Sequence, residues 1–312
     1  MKNRLLATAI ALLAASAAVP AAAQSDIRVN GSRVHPESIT SDAAGNLYTG
    51  SVPGTIYRVT AGSTTAEPWI APSAENGLRS VFGVLAHEGL LWVCDNPPFG
   101  GSPQPGARPA VRLFDLDTGR FRAAFTFPGE SPAICNDIAI SPDNGIYATD
   151  TSGGRILVVV PSLPQALVFA SSPDLVGIDG IAFAQDGTMY INNVRANTMQ
   201  RVNQRDSRYG PEYVGLTTLT LSEPVSGPDG LRHVSGNRFL QAEGTGGRVT
   251  YVDIDGDTAK ITPVKTGLES SPAVTRVGNV GYATEGKINY LFDPALRGQD
   301  PGVFMIRAFP LP

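Results

Sequence analysis

Histidine, cysteine and positive charge are all scarce in this chain, and each shortage excludes something. Cysteine occurs twice and histidine three times in 312 residues. Two cysteines alone cannot build the usual four-ligand structural zinc site. Lys and Arg number 24 against 28 Asp and Glu, a net charge of −4. There is no basic stripe with interleaved aromatics, so neither nucleic acid nor an anionic membrane is an expected partner. Long helical periodicity is hard to find. Beyond residues 5–19, no apolar run is long enough to span a bilayer. Familiar catalytic motifs are missing too: no Gly-x-Ser-x-Gly elbow, no His-Glu-x-x-His and no phosphate-cradling glycine loop.

The run from Leu5 to Val19 follows Lys2 and Arg4 and precedes the small residues Ala21-Ala22-Ala23. That pattern predicts a secretory signal over residues 1–23, removed before Gln24. The mature chain, residues 24–312, is expected to be a single domain in a periplasmic or otherwise extracytoplasmic compartment. Cys94 and Cys135 then have two open readings: a disulfide, as an oxidising compartment permits, or two buried thiols behaving as small apolar residues.

Glycine (34) and proline (25) are plentiful, and they punctuate a repeat. Hairpin turns recur at Ala44-Gly45-Asn46, His87-Glu88-Gly89, Asp143-Asn144-Gly145, Gln185-Asp186-Gly187, Ser235-Gly236-Asn237 and Val277-Gly278-Asn279. Gly, Asn and Asp tolerate the backbone of a tight hairpin. A short strand follows each turn, with Tyr48, Trp92, Tyr147, Tyr190, Phe239 and Tyr282 marking it. Third and fourth strands follow, as in Arg155 to Val159 and Arg122 to Thr126. Four antiparallel strands per unit, six units and a period of roughly 45 residues predict an all-β, six-bladed β-propeller. The last unit lacks a strand, and Ile27-Arg28-Val29 has no unit of its own. The N-terminal strand is therefore expected to close the last blade as its outer strand. The Pro/Gly-rich segment Pro97 to Pro109 reads as a loop over one face.

Aligned on the first strand of each unit, one position reads Glu37, Phe82, Asn136, Asp179, Asp229 and Pro272. First strands line a propeller's channel, so three carboxylates and one amide should converge at one mouth. An all-oxygen set suits a hard cation, with Ca²⁺ expected ahead of Mg²⁺. Mn²⁺ and Zn²⁺ stay open as alternatives, although no His or Cys in the row speaks for zinc. Each of these residues alone reads equally well as a turn residue starting a strand; the register across units makes the case for a metal. A second row, Ser51, Asp95, Asp150, Asn193, Glu243 and Glu285, ends the second strands. It either shapes the substrate pocket, with Asp150 and Asn193 as contacts, or supports the ligands from behind. Strand alternation predicts that Asp137, next to Asn136, points the other way. His35 is near the mouth but reads as structural, and Asp253-Ile254-Asp255-Gly256-Asp257 reads as a link between outer strands.

Pro36-Glu37-Ser38-Ile39, Leu91-Trp92-Val93-Cys94, Cys135-Asn136-Asp137-Ile138, Asp179-Gly180-Ile181-Ala182 and Pro228-Asp229-Gly230-Leu231 together resemble the regucalcin and gluconolactonase family of senescence-marker-protein-like lactonases. The resemblance extends over the mature chain and, more distantly, to paraoxonases. It implies a divalent cation held by Glu37, Asn136, Asp179 and Asp229, with Asn136 also meeting the substrate, and a lactone-opening activity. Asp179 stands where the family usually has Asn, which adds negative charge. Ile134 stands where sugar-lactone members carry Arg, which points to a more apolar lactone or ester, as does Phe82.

The activity expected is a metal-dependent hydrolase of a small lactone or ester, with Asp229 as general base and Asp179 second in line. Two alternatives remain: a non-catalytic ligand- or partner-binding propeller with a structural calcium, or an isomerase or lyase using the same pocket. A small-molecule substrate is the expected partner. Nothing in the sequence sets the oligomeric state, and a monomer is assumed.

Overall fold

The structure, a computed structural model, describes residues 25–312 apart from 99–105, 130, 131 and 209. The expected signal segment and most of the Pro/Gly-rich loop therefore lie outside the described residues. The regular structure among the described residues is almost entirely strand, with one short helix, Asn289–Phe292, and one 3₁₀ turn, Pro173–Leu175.

Each predicted turn joins two strands of a hairpin. Asn144 takes the left-handed φ of 66° that its Asp-Asn-Gly turn requires. The first strands are Pro36–Ser41, Ser80–His87, Cys135–Ile140, Ile178–Phe183, Pro228–Ser235 and Val274–Val277. Each pairs antiparallel with the strand that follows it. Among the described residues the strands form three sheets of four, one of five and one of eight. The eight-stranded sheet is two four-stranded units sharing an edge. Ile27–Val29 pairs antiparallel with Phe304–Pro310, Ile27 opposite Ile306, and so completes the last unit as predicted. The same strand also pairs in parallel with the outer strand of the first unit, Arg28 opposite Thr65, which the sequence pattern does not disclose.

First strands pack on one another in a closed ring, each against the first strand of the next unit and the last against the first. First and second strands are covered on both faces, so they read as nearly continuous buried runs, Leu47–Ser51 and Ile146–Asp150 among them. Outer strands have one wet face, and Thr258–Thr266 accordingly starts as an exposed–buried alternation. The core lies between sheets. Tyr190 meets Phe239 of the next unit edge-on at 5.4 Å, and Tyr147 meets Phe183 at 5.2 Å. Among the described residues no helix is long and apolar enough to cross a membrane.

The first strands carry a shared irregularity. A β-bulge interrupts the register between Cys135 and Ile138, Ile178 and Ile181, Pro228 and Leu231, Val81 and Val84, and Pro36 and Ser38. Bulges re-aim side chains and suspend strict alternation. At Gly83 and Gly180 a Cβ would collide with the backbone of the next first strand, at Asn136 and Asp229. Only glycine lets the ring close this tightly there.

Candidate active site at the channel mouth

The bulges turn Glu37, Asn136, Asp179 and Asp229 toward one mouth of the channel. All four line a cavity of about 260 Å³. Glu37, Asn136 and Asp179 are buried, and Asp229 is half-buried. The Asn136 side-chain amide donates to Asp179 Oδ2 at 2.6 Å and to Thr151 Oγ1 at 3.1 Å. The carboxyls of Asp179 and Asp229 stand close enough in the cluster for each to shift the other's titration. Burial, reinforced by the charges of Asp179 and Asp137, pushes Glu37 well above the ordinary carboxylate range. Burial, then the charges of Asp179 and Glu37, does the same to Asp229. Burial, with the charge of Asp137, raises Asp179 as well, against the hydrogen bond it receives from Asn136.

The four donors are thus brought together as their shared register implies. Their chemistry, three carboxyls and an amide oxygen, fits a hard divalent cation. Among the described residues, no three His, Cys, Asp or Glu side chains form a ready-made metal cage. The hydrogen-bonded Asn136 amide ties Asp179 to Thr151.

Above the donors the cavity is apolar. Phe82 and Ile134 line it as their sequence positions suggest, and Ile288, Leu291 and Phe292 reach it from the short helix and its approach. Thr151 and Arg195 also line it. Neither stood out in the sequence, because each follows a second strand by one or two residues in a turn.

The second row, expected either to shape the substrate pocket or to support the ligands from behind, is engaged with backbone and arginine partners. Asp150 is fully buried; its carboxylate accepts the amide N–H groups of Ile134 and Gly153, both at 2.9 Å, and pairs with Arg155. Asn193 donates to Val176 O at 3.0 Å and accepts from the backbone of Arg195 and Ala196. Neither side chain lines the cavity. Asp95, Glu243 and Glu285 repeat the pattern, taking the backbone N–H of Arg79, Ser226 and Glu269 respectively. Each latches the segment that feeds its own unit's first strand. Pairing with Arg112, Arg155, Arg248 or Arg307 leaves these carboxylates no vacant edge.

Asp137 also departs from expectation. Lying inside a bulge, it is not turned out of the channel: it sits beneath the donors and pairs with Arg232. A void of about 10 Å³, room for about one water-sized sphere, separates this pair from Glu37, Asn136, Asp179 and Asp229. Arg232 had one sequence signal. It is the single charged residue at a position that otherwise reads Thr40, Leu85, Ala139, Ala182 and Thr275.

Cys94 and Cys135 form a disulfide, with Cα atoms 5.2 Å apart. Asn96 braces the same point, donating to Cys135 O at 2.8 Å and accepting its N–H at 2.9 Å. His35 is structural: Nδ1 is 3.1 Å from Gly286 O, and the ring packs on Phe304.

Solved structures share this architecture. One provisionally assigned as a gluconolactonase superposes with a TM-score of 0.64 at 16% identity, over 94% of this chain and 95% of that one. The chain has a β-propeller fold. A virginiamycin B lyase from Staphylococcus aureus gives a TM-score of 0.59 at 12% identity, over 92% and 98% of the two chains. The PQQ-bound aldose sugar dehydrogenase from Streptomyces coelicolor gives 0.56 at 14%, over 92% and 99%. These propellers carry names of three different activities, and at such identities the likeness is one of fold. The family model described as strictosidine synthase-like, N-terminal, matches residues 26–59. Comparison with curated proteins finds no match. Chemistry therefore has to be read from this chain's own mouth.

Proposed function

We propose that this protein is a six-bladed propeller hydrolase, exported by its N-terminal signal as a single domain, that opens a small lactone or ester in a divalent-cation-dependent reaction. One observation carries the reading: three carboxyls and one amide, contributed by four separate units, converge under an apolar cavity of about 260 Å³. Structural needs alone would not concentrate raised carboxyls at a cavity floor, where each costs desolvation.

Glu37, Asn136, Asp179 and Asp229 would hold the cation, Ca²⁺ first among the candidates. Bound there, it supplies Lewis-acid polarisation of the substrate carbonyl. Asp229, with its raised pKa and its half-open edge, takes the proton from the attacking water and returns it to the leaving alkoxide. Asn136, held from Thr151, fixes the carbonyl's approach. Phe82, Ile134 and Leu291 exclude bulk water and favour an apolar substrate body.

A panel of aliphatic, aromatic and sugar lactones and esters, assayed with Ca²⁺, Mn²⁺ and Zn²⁺ and then with chelator, tests this. The expected result is hydrolysis of the apolar members, lost on chelation. Asp229→Asn should lower kcat by about 10²-fold or more; near-normal turnover sinks its assignment. Cation binding without turnover on any ester would leave the mouth a structural calcium site.

A further inference from the structure

Three of the four donors lie on consecutive first strands: Asn136 on Cys135–Ile140, Asp179 on Ile178–Phe183 and Asp229 on Pro228–Ser235. One carboxylate is bonded to all three strands. Asp137, next to Asn136, receives Arg232 as a fork: Nη1 is 2.7 Å from Oδ2 and Nη2 is 3.0 Å from Oδ1. Arg232 lies three residues beyond Asp229 on the same strand. Asp137 Oδ2 also accepts the amide N–H of Ile181 at 3.2 Å, two residues beyond Asp179. Oδ1 accepts the N–H of Ile138 at 2.9 Å. Thr149 adds a second stitch, donating to Asp179 O at 2.8 Å and accepting the Asp137 N–H at 3.0 Å.

The pair is placed to position the site, with no contact to a substrate. Neither side chain lines the mouth cavity. Arg232 faces the small void below the donors and, on its other side, a depression of about 790 Å³ at the opposite end of the channel. The side chains of Arg232 and Asp137 are 14% and 5% exposed. A buried fork of this kind fixes angle as well as distance, and lysine cannot reproduce it.

We propose that the Asp137–Arg232 pair is a strut that sets the relative placement of Asn136, Asp179 and Asp229, and that tight binding of a divalent cation depends on it. The cation half of this statement rests on the reading of the mouth given above; the strut half does not. Two measurements on the full chain separate them: calcium titration by calorimetry, and hydrogen exchange at the Ile181 amide. Arg232→Lys keeps the charge and loses the fork. It should raise the calcium Kd by about tenfold or more, as loss of groups supporting ligands does, and speed Ile181 exchange by a similar factor while Tm falls only slightly. Asp137→Asn/Arg232→Met, neutral at both ends so that no buried charge is stranded, should do the same. A merely structural pair would move Tm and leave the Kd alone. Asp229→Asn should lose calcium and keep Ile181 protected. Wild-type Kd and wild-type exchange in both strut variants overturn the proposal. If the wild-type chain takes up no calcium, the mouth reading fails, and Ile181 decides the strut: faster exchange in the variants supports it, unchanged exchange refutes it.

Discussion

Asp179 and Asp229 meet at the floor of a cavity whose walls are largely apolar, and Arg195 stands at the same cavity. The two features ask different things of a substrate. Under the proposed hydrolase reading, the carboxyls take an ester or lactone carbonyl beside them. Arg195, exposed and basic, can greet a negative group on the part of the substrate that stays outside. An exposed pair of that kind contributes about 1 kcal/mol at most. Arg195→Ala should therefore raise KM about fivefold for esters bearing a carboxylate tail and leave neutral esters unchanged; equal effects on both would remove Arg195 from recognition. The convergence of Glu37, Asn136, Asp179 and Asp229 was legible in the sequence because a repeat places equivalent residues in register, so one alignment reveals what no local motif shows. Arg195 and Thr151 were not. Turn residues after a second strand vary in number from unit to unit, and no register protects them.

Bulges explain most of what alternation hides at the level of the element. A strand of period two would have put Asp137 on the far side from Asn136. The extra residue between Cys135 and Ile138 lets both face the channel, one above the other. Arg232 then becomes its partner from 95 residues away, a distance across which local pattern carries no information. Alternation hides the second row's contacts for a related reason. Polar residues at strand ends suggest a wet rim, yet Asp150 is fully buried because the loop entering its own first strand folds back to meet it. The Cys94–Cys135 disulfide works on the same element, clamping the start of the Asn136 strand to its neighbour. Its sequence separation of 41 residues corresponds to about 4 kcal/mol of chain entropy. The Cys94→Ala/Cys135→Ala variant should lose stability of that order in urea unfolding. An unchanged midpoint at an unchanged m-value would show the clamp to be dispensable.

Across the whole molecule, acid chemistry and ring closure both register in stability. Glu37, Asp179 and Asp229 have folded pKa values raised chiefly by burial. Their contribution is full below the unfolded carboxylate range, near about 4, and is lost as pH climbs through the raised folded values. With chelator present, Tm should fall between about pH 5 and about pH 8, and millimolar calcium should shrink that fall by binding the folded form. A Tm that is flat over this window with chelator, or indifferent to calcium, contradicts the cluster as described. Closure depends on Ile27–Val29, whose Ile27 and Val29 are buried, and on Asp26, which pairs with Arg307 at 2.8 Å. Deleting residues 25–34 should cost several kcal/mol and lower Tm by about 10 °C or more; an unchanged melt refutes the closure. A strand hydrogen-bonded to both the first unit and the last has a further effect during synthesis. The segment made first cannot find its antiparallel partner until Phe304–Pro310 has been made. Until then the nascent chain keeps raw sheet edges, the kind of surface that proteases and aggregation exploit. The junction thus ties closure to both ends of the fold: a chain broken off before Phe304 should leave Ile27–Val29 with its parallel partner alone.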